Sequence, residues 1–186
     1  MLISACSSTQ RIGSLATLPL PDIAAVHCCW QVLQHLEINS EGEIYTLQAA
    51  LALTHSAPEP QLTLILLDSL GRRLLSVRDN NGPNQQMRIH QQQAAGGSTA
   101  LPGRFLIAAV YLTYWPDSSW QKVLAESDWT LNKTPAGRTL YYRQQAIVSV
   151  SSTQQSLSPS SGQSVILLHH LKTLGVTIDT HQRHDF

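Results

Sequence analysis

Apolar and polar residues begin to alternate at Trp30, and a period of two marks a strand with one buried face. Trp30 to Ile38 is the first such run, with one ragged face, and Asn39 to Gly42 carries turn residues. Glu43 to Leu53 follows, with Tyr45, Leu47, Ala49, Leu51 and Leu53 on one face and Thr46, Gln48 and two alanines on the other. Ser56 to Pro60 is a loop. Gln61 to Leu67 is apolar on both faces in its second half, which predicts a strand covered on both sides. Asp68 to Gly71 turns the chain into a strand over Arg72 to Asp79. Asn80 to Pro83 turns it again into a short, polar rim strand over Gln85 to His90. Gln91 to Ala100 is a loose Gln, Ala, Gly and Ser segment, expected as a loop.

The period then lengthens. Pro102 suits a first helical turn, and Leu106, Ala109, Val110 and Thr113 fall on one stripe at spacings of three and four. Pro116 ends this helix. Asp117 or Ser118 is expected to cap a second, short one, with Ser118 and Gln121 at capping-box spacing and Trp120, Val123 and Leu124 on its apolar face. Strand patterns return at Trp129 to Asn132, Arg138 to Arg143, Ala146 to Ser152, Gln163 to Leu171 and Gly175 to Thr180, with a polar tail over residues 181–186. About ten strands on short connections pair antiparallel. The helical pair, inserted after the fifth, must cover one face of a curved sheet. The predicted class is a β-rich α+β fold.

Composition narrows the function classes. Apolar residues make up 42% of 186 and charged residues only 13%, which is too apolar for disorder. Twelve basic residues balance twelve acidic ones, so net charge drives the chain to neither nucleic acid nor anionic membrane. The longest apolar run, Phe105 to Leu112, falls far short of the about 20 residues a spanning helix needs.

The N-terminus changes the picture. Ile3-Ser4-Ala5-Cys6 resembles a bacterial lipobox, in which the chain is cut before the cysteine and its thiol takes diacylglycerol. The apolar stretch expected of a secretory signal is shorter here than usual. Ser7, in place of an aspartate, implies the outer membrane and its periplasmic face. Residues 1–6 are therefore expected as a signal remnant, residues 7–25 as a Ser/Thr/Pro-rich tether, and residues 26–186 as the folded domain. Cys28 and Cys29 are adjacent, and neighbours on a strand point to opposite faces. Despite His27 and His35 nearby, they fit no common metal spacing. Two buried thiols are expected, with an intermolecular disulfide as the alternative, and no metal.

The order of these elements resembles the LolA/LolB group of bacterial lipoprotein-handling proteins, LolB in particular. The most specific local match is Leu64-Ile65-Leu66-Leu67-Asp68-Ser69-Leu70-Gly71. In LolB an apolar strand runs into an Asn-Pro-Leu-Gly turn whose leucine enters the bilayer. Leu70 falls at that leucine, with Asp68 and Ser69 replacing Asn and Pro. Leu101-Pro102 and the following helix match the lid region, and Gly137-Arg138 the later hairpin. A closer likeness is to a group of uncharacterised, LolB-related proteobacterial lipoproteins. They share the Leu-Gly-Arg-Arg-Leu turn, the Pro-Gly helix and Tyr-Trp-Pro, and some are encoded beside aryl-polyene or fatty-acid-like synthase genes. The resemblance spans most of residues 26–180. It implies an incomplete antiparallel barrel with a helical lid over an apolar cavity, which binds acyl chains or lipoprotein cargo received from a LolA-like carrier and passes them to outer-membrane lipid. Leu47, Leu64, Leu66, Leu106, Val110, Tyr114, Trp115 and Trp120 are the expected cavity and lid residues. Cys6 is the expected lipidation site, and Leu70, Arg72 and Arg73 the membrane contact.

Catalytic patterns do not emerge. No Gly-x-Ser-x-Gly elbow is present. Glu126 and Asp128 are too close in sequence to share a helix face. His169 and His170 are strand neighbours pointing oppositely, and phosphate-binding glycine loops are missing. The expectation is a protein without enzyme activity and without a cofactor. The rival readings are a structural lipoprotein with a filled core and, behind it, a hydrolase of lipid or polyketide esters.

Overall fold

The computed structural model describes residues 15–40, 42–56, 59–80, 87–91, 103–152, 159, 162–170 and 174–185. Its strands are β1 (Trp30–Ser40), β2 (Glu43–Ser56), β3 (Glu59–Leu67), β4 (Arg73–Asp79), β5 (Met87–Gln91), β6 (Trp129–Thr134), β7 (Gly137–Tyr142), β8 (Gln145–Ser152), β9 (Ser164–His169) and β10 (Leu174–Asp185). Two helices, α1 (Gly103–Tyr114) and α2 (Asp117–Leu124), stand between β5 and β6. All ten strands form one antiparallel sheet in the order β5-β4-β3-β2-β1-β10-β9-β8-β7-β6. Each half of the chain is thus a five-stranded meander. The halves join where β1 pairs with β10, from Trp30 opposite Asp185 to Ser40 opposite Leu174. The sheet stays open, with β5 and β6 at its edges.

The helical pair connects those two edges, so it has to cross one face. Its dimensions show how the sheet bends. Twelve residues of α1 measure about 18 Å. At its N-terminus, a Cβ on Gly103 would lie 3.3 Å from Leu75 of β4. Near its C-terminus, Arg138 of β7 donates to the Leu112 carbonyl at 2.8 Å. On a flat sheet, β4 and β7 would be about 34 Å apart at ~4.8 Å per strand. One short helix meets both because the sheet wraps around it. Register irregularities at Leu33/Gln34, Leu66/Leu67 and Leu140/Tyr141 add local bending.

Strict alternation fills the inner face. In β1, Trp30, Val32, Gln34, Leu36 and Ile38 are buried while the intervening residues face out. Leu47, Ala49, Leu51 and Leu53 of β2 and Leu62, Leu64 and Leu66 of β3 continue that layer. The predicted double covering of β3 is only partial: Ile65 and Leu67 on its outer face are half-buried.

Three further expectations need correction. First, residues 181–185 are no polar tail; they extend β10 to Asp185, because β1 is long enough to pair with them. Second, the capping box at Ser118 does not form. Pro116 occupies the N-cap of α2 with no side-chain bond, and Asp117 instead pairs with Lys133 and Arg138 at 2.8 Å each. Third, the tether ends early. From Leu15 the chain packs as a strap, through 3-10 turns at Leu15–Thr17 and Ile23–Ala25, and it buries Leu18 and Ile23 in the common core. Arg104 of α1 donates to the Leu15 carbonyl and, at 3.0 Å, to that of Leu18. The Trp115 indole donates to the Asp22 carbonyl at 2.8 Å. The two prolines that suggested a tether only prevent regular helix or strand. They do not prevent packing.

Candidate functional site

The residues expected to line a cavity or touch a membrane fall in two places, the interior under the helices and the exposed tip between β3 and β4. Every expected cavity and lid residue lies in the interior. Leu47, Leu64, Leu66, Leu106, Val110, Tyr114, Trp115 and Trp120 belong to one buried cluster. The expected stripe on α1 is, however, too narrow. Phe105, Ile107, Ala108 and Leu112 are also fully buried, because the sheet holds one side of α1 and the strap and α2 region cover the rest.

Arg138 fixes this arrangement. Its guanidinium donates to the carbonyls of Leu112 and Trp115, at 2.8 and 2.7 Å, and pairs with Asp117 at 2.8 Å. It thereby satisfies carbonyls at the end of α1 and ties the start of α2 to β7. The preceding glycine is obligatory for a steric reason: a Cβ on Gly137 would fall 2.0 Å from the Val150 carbonyl oxygen.

Two polar groups interrupt the apolar interior. At the β1/β10 irregularity, the Gln34 amide donates to Thr180 Oγ1 at 3.1 Å and to the Tyr114 hydroxyl at 3.4 Å. Burial pushes the Tyr114 phenol up to about 12, against the opposing pull of the Gln34 and Thr180 hydrogen bonds. Next to the β5 edge of the sheet, the Tyr111 hydroxyl donates to Asp79 of β4 at 2.9 Å. Burial, then the Asp79 charge, raises Tyr111 well above the usual phenol range. Burial lowers the Arg104 pKa, while the Asp79 charge acts to raise it. The indole nitrogens of Trp30 and Trp129 are buried without a hydrogen-bond partner.

The β3–β4 turn places Leu70 at 75% exposure, the highest among the large exposed hydrophobics. Asp68 organises it. Its Oδ1 accepts from the backbone N–H groups of Leu70 and Arg72 at 2.9 Å each, and its Oδ2 accepts from Arg72 Nε at 2.7 Å. Gly71 takes φ +74°, which a side chain would oppose. Burial disfavours the Asp68 carboxylate, but the Arg72 backbone and guanidinium and the Leu70 N–H outweigh it and lower its pKa. The aspartate thus builds a projecting turn that needs no proline. Arg72 and Arg73 are both exposed beside the leucine, and Arg72 is turned back onto Asp68.

The cysteines depart from expectation. Cys28 and Cys29 precede β1 rather than lying on it, so the strand argument against a bridge does not apply. Cys28 is exposed and Cys29 half-buried, and their sulfurs are joined in a disulfide. On the outer face, Ser149 Oγ lies 2.7 Å from His170 Nε2 and 2.8 Å from Thr139 Oγ1, a contact that no local sequence pattern announces. Ser149 is in β8 between β7 and β9, so its backbone lies within two ladders rather than facing an oxyanion. Cys6, Leu101 and Pro102 lie outside the described residues. Among the described residues, no helix is long and apolar enough to cross a membrane.

The architecture is therefore an open antiparallel sheet wrapped around a buried helix, with one apolar tip held away from the core. The chain belongs to a family described as protein of unknown function (DUF3261), whose profile matches residues 31–182. No curated protein matches it.

Proposed function

We propose that this protein is a LolB-like, non-enzymatic outer-membrane lipoprotein that holds acyl chains or lipidated cargo inside the wrapped sheet and delivers them to the bilayer. The observation that carries this reading is Leu70. An apolar side chain held exposed by a purpose-built aspartate turn gains nothing from packing, whereas it gains about 1.5–3 kcal/mol on entering hydrocarbon. Arg72 and Arg73 then sit at phosphate depth, where each cation near an anionic surface contributes about 1 kcal/mol. The driving force for transfer is differential burial. Each methylene withdrawn from water gains roughly 0.8 kcal/mol, so cargo leaves the protein only for a deeper apolar site. A LolA-like periplasmic carrier would supply the cargo.

Lipidation of Cys6 would hold the domain on the periplasmic face of the outer membrane. With its native signal the protein should fractionate there, and Cys6→Ala should release it. Unchanged fractionation of the variant would exclude the anchor.

A filled-core structural lipoprotein is the second reading, favoured by the burial of α1 on nearly all sides. A fluorescent fatty acid separates the two. Saturable uptake, competed by unlabelled fatty acid, supports cargo binding. Absence of uptake by the folded protein supports the structural role.

A further inference from the structure

The chain just before β1 meets the far end of β2. The β1–β2 ladder ends at Trp30 opposite Leu53, so Cys28 and Cys29 continue alongside Thr54 and His55. His55 is held from its other side, where it pairs with Pro60 of β3. One sulfur from each cysteine and one imidazole nitrogen of His55 lie within 4.8 Å of one another. Among the described residues this is the one cluster of three His, Cys, Asp or Glu ligand atoms at that spacing. It lies at the surface, with Cys28 and His55 exposed; the two cysteines stand just ahead of the family-matched span and His55 lies within it.

We propose that Cys28, Cys29 and His55 form a site for a thiophilic d10 cation, zinc(II) or copper(I), which opens only when the cysteine pair is reduced. The donor set decides the class of ion. Two thiolates and an imidazole are soft and borderline ligands, which select such ions over magnesium or calcium. Bonds of ~2.3 Å to sulfur and ~2.0 Å to nitrogen at tetrahedral angles separate ligand atoms by roughly 3.5–3.8 Å. The two sulfurs, bonded to each other in the disulfide, must therefore part on reduction, while the His55 nitrogen already lies within 4.8 Å of both. The site is three-coordinate from the protein. Copper(I) could remain so, whereas zinc(II) would take water or an outside donor at the fourth, exposed position.

The disulfide is the closed state. A dithiol reductant opens it by exchange. Two electrons and two protons pass to the pair, the Sγ–Sγ bond becomes two thiols, and the reductant leaves as its own disulfide. Metal binding then displaces the thiol protons to solvent. Strand pairing brings His55 to the cysteines, so no local spacing motif could have revealed the site.

The test uses the full chain carrying Cys6→Ser, so that Cys28 and Cys29 are the only thiols. After reduction and removal of the reductant without air, cobalt(II) serves as a spectroscopic probe. Zinc(II) is then measured by displacement of cobalt, and copper(I) by competition with a chromophoric chelator. The reduced protein should bind one equivalent and show a thiolate-to-cobalt charge-transfer band, while the oxidised protein binds none. Cys28→Ser and Cys29→Ser should each weaken binding by more than about a hundredfold, beyond the usual effect of losing a supporting group. His55→Ala should weaken it and alter the cobalt ligand-field bands, and His27→Ala should change neither. The relative strength of the zinc and copper arms identifies the ion. Failure of the reduced, folded protein to bind either ion would overturn the proposal, as would full-strength binding after His55→Ala or after either cysteine substitution.

Discussion

Leu18→Ala tests whether residues 15–25 belong to the domain or only lead to it. Leu18 is 2% exposed and packs in the same cluster as α1 and the inner sheet face. Truncating a leucine so placed costs about 2–5 kcal/mol, from lost burial and the cavity left behind. A leucine in a solvated tether would change stability by no more than about 0.5 kcal/mol. Urea unfolding, followed by tryptophan fluorescence and circular dichroism, separates these values. With a slope near 2 kcal/mol/M the midpoint should fall by roughly 1–2.5 M. Trp115→Phe provides an independent probe. It keeps an aromatic group but removes the N–H that donates to the Asp22 carbonyl at 2.8 Å, at a cost of about 1 kcal/mol, to which the smaller ring adds a cavity term in this fully buried site. Both substitutions loosen the same strap, so the double variant should lose less than the two single losses combined. A midpoint shift below about 0.3 M for Leu18→Ala, with strict additivity, would refute the packed strap.

Further outcomes follow from the other contacts. Arg138→Met should destabilise by about 2–4 kcal/mol in the same assay, since two helix-end carbonyls and Asp117 lose their partner together. A change under 0.5 kcal/mol would show that the guanidinium does not tie the helices to β7. Leu70→Glu should leave the unfolding midpoint and fatty-acid uptake unchanged but slow transfer to anionic liposomes several-fold; equal transfer rates would remove the tip from the mechanism. Tyr114 is raised in the folded state to about 12, from an ordinary phenol value near 10. The stability this represents is fully present below pH ~10 and is lost as pH rises through 12. Alkaline urea titrations should show that fall, and Tyr114→Phe should remove its share of it; stability independent of pH over this range would contradict a buried phenol.

The two meanders were legible in the sequence because each strand states its own face. The alternation of Trp30 to Ile38 and of Tyr45 to Leu53 needs no partner to be recognised. Errors arose where a distant segment decides the outcome. The polar residues 181–185 became strand because β1 continues far enough to pair with them. Ser118 lost its capping role because Arg138 and Lys133 reach Asp117 from β6 and β7. Leu15 to Ala25 lacks any periodicity, yet Arg104 and Trp115 draw its carbonyls onto α1. Among the candidate residues, Leu70 was recognisable from its turn. The inner-face leucines were recognisable as buried, but alternation alone could not show how completely α1 would be enclosed. His55 escaped notice because it meets the cysteines only through the pairing of β1 with β2.

The packed strap also sets the length of any leash. For a lipid anchor at Cys6, the nine residue steps from there to Leu15 can span at most ~30 Å, whatever path they take. Leu15 is held by Arg104, which also contacts Met87, and Met87 pairs with Asp79 at the end of β4 away from Leu70. Strand β4 from Asp79 to Arg73 covers about 20 Å of that separation. A leash attached at one end of the domain must therefore run most of the domain's height before the leucine at the other end can touch the same membrane. The slack left is on the order of 10 Å, so an anchored molecule could present Leu70 to its own bilayer only within a narrow range of tilts.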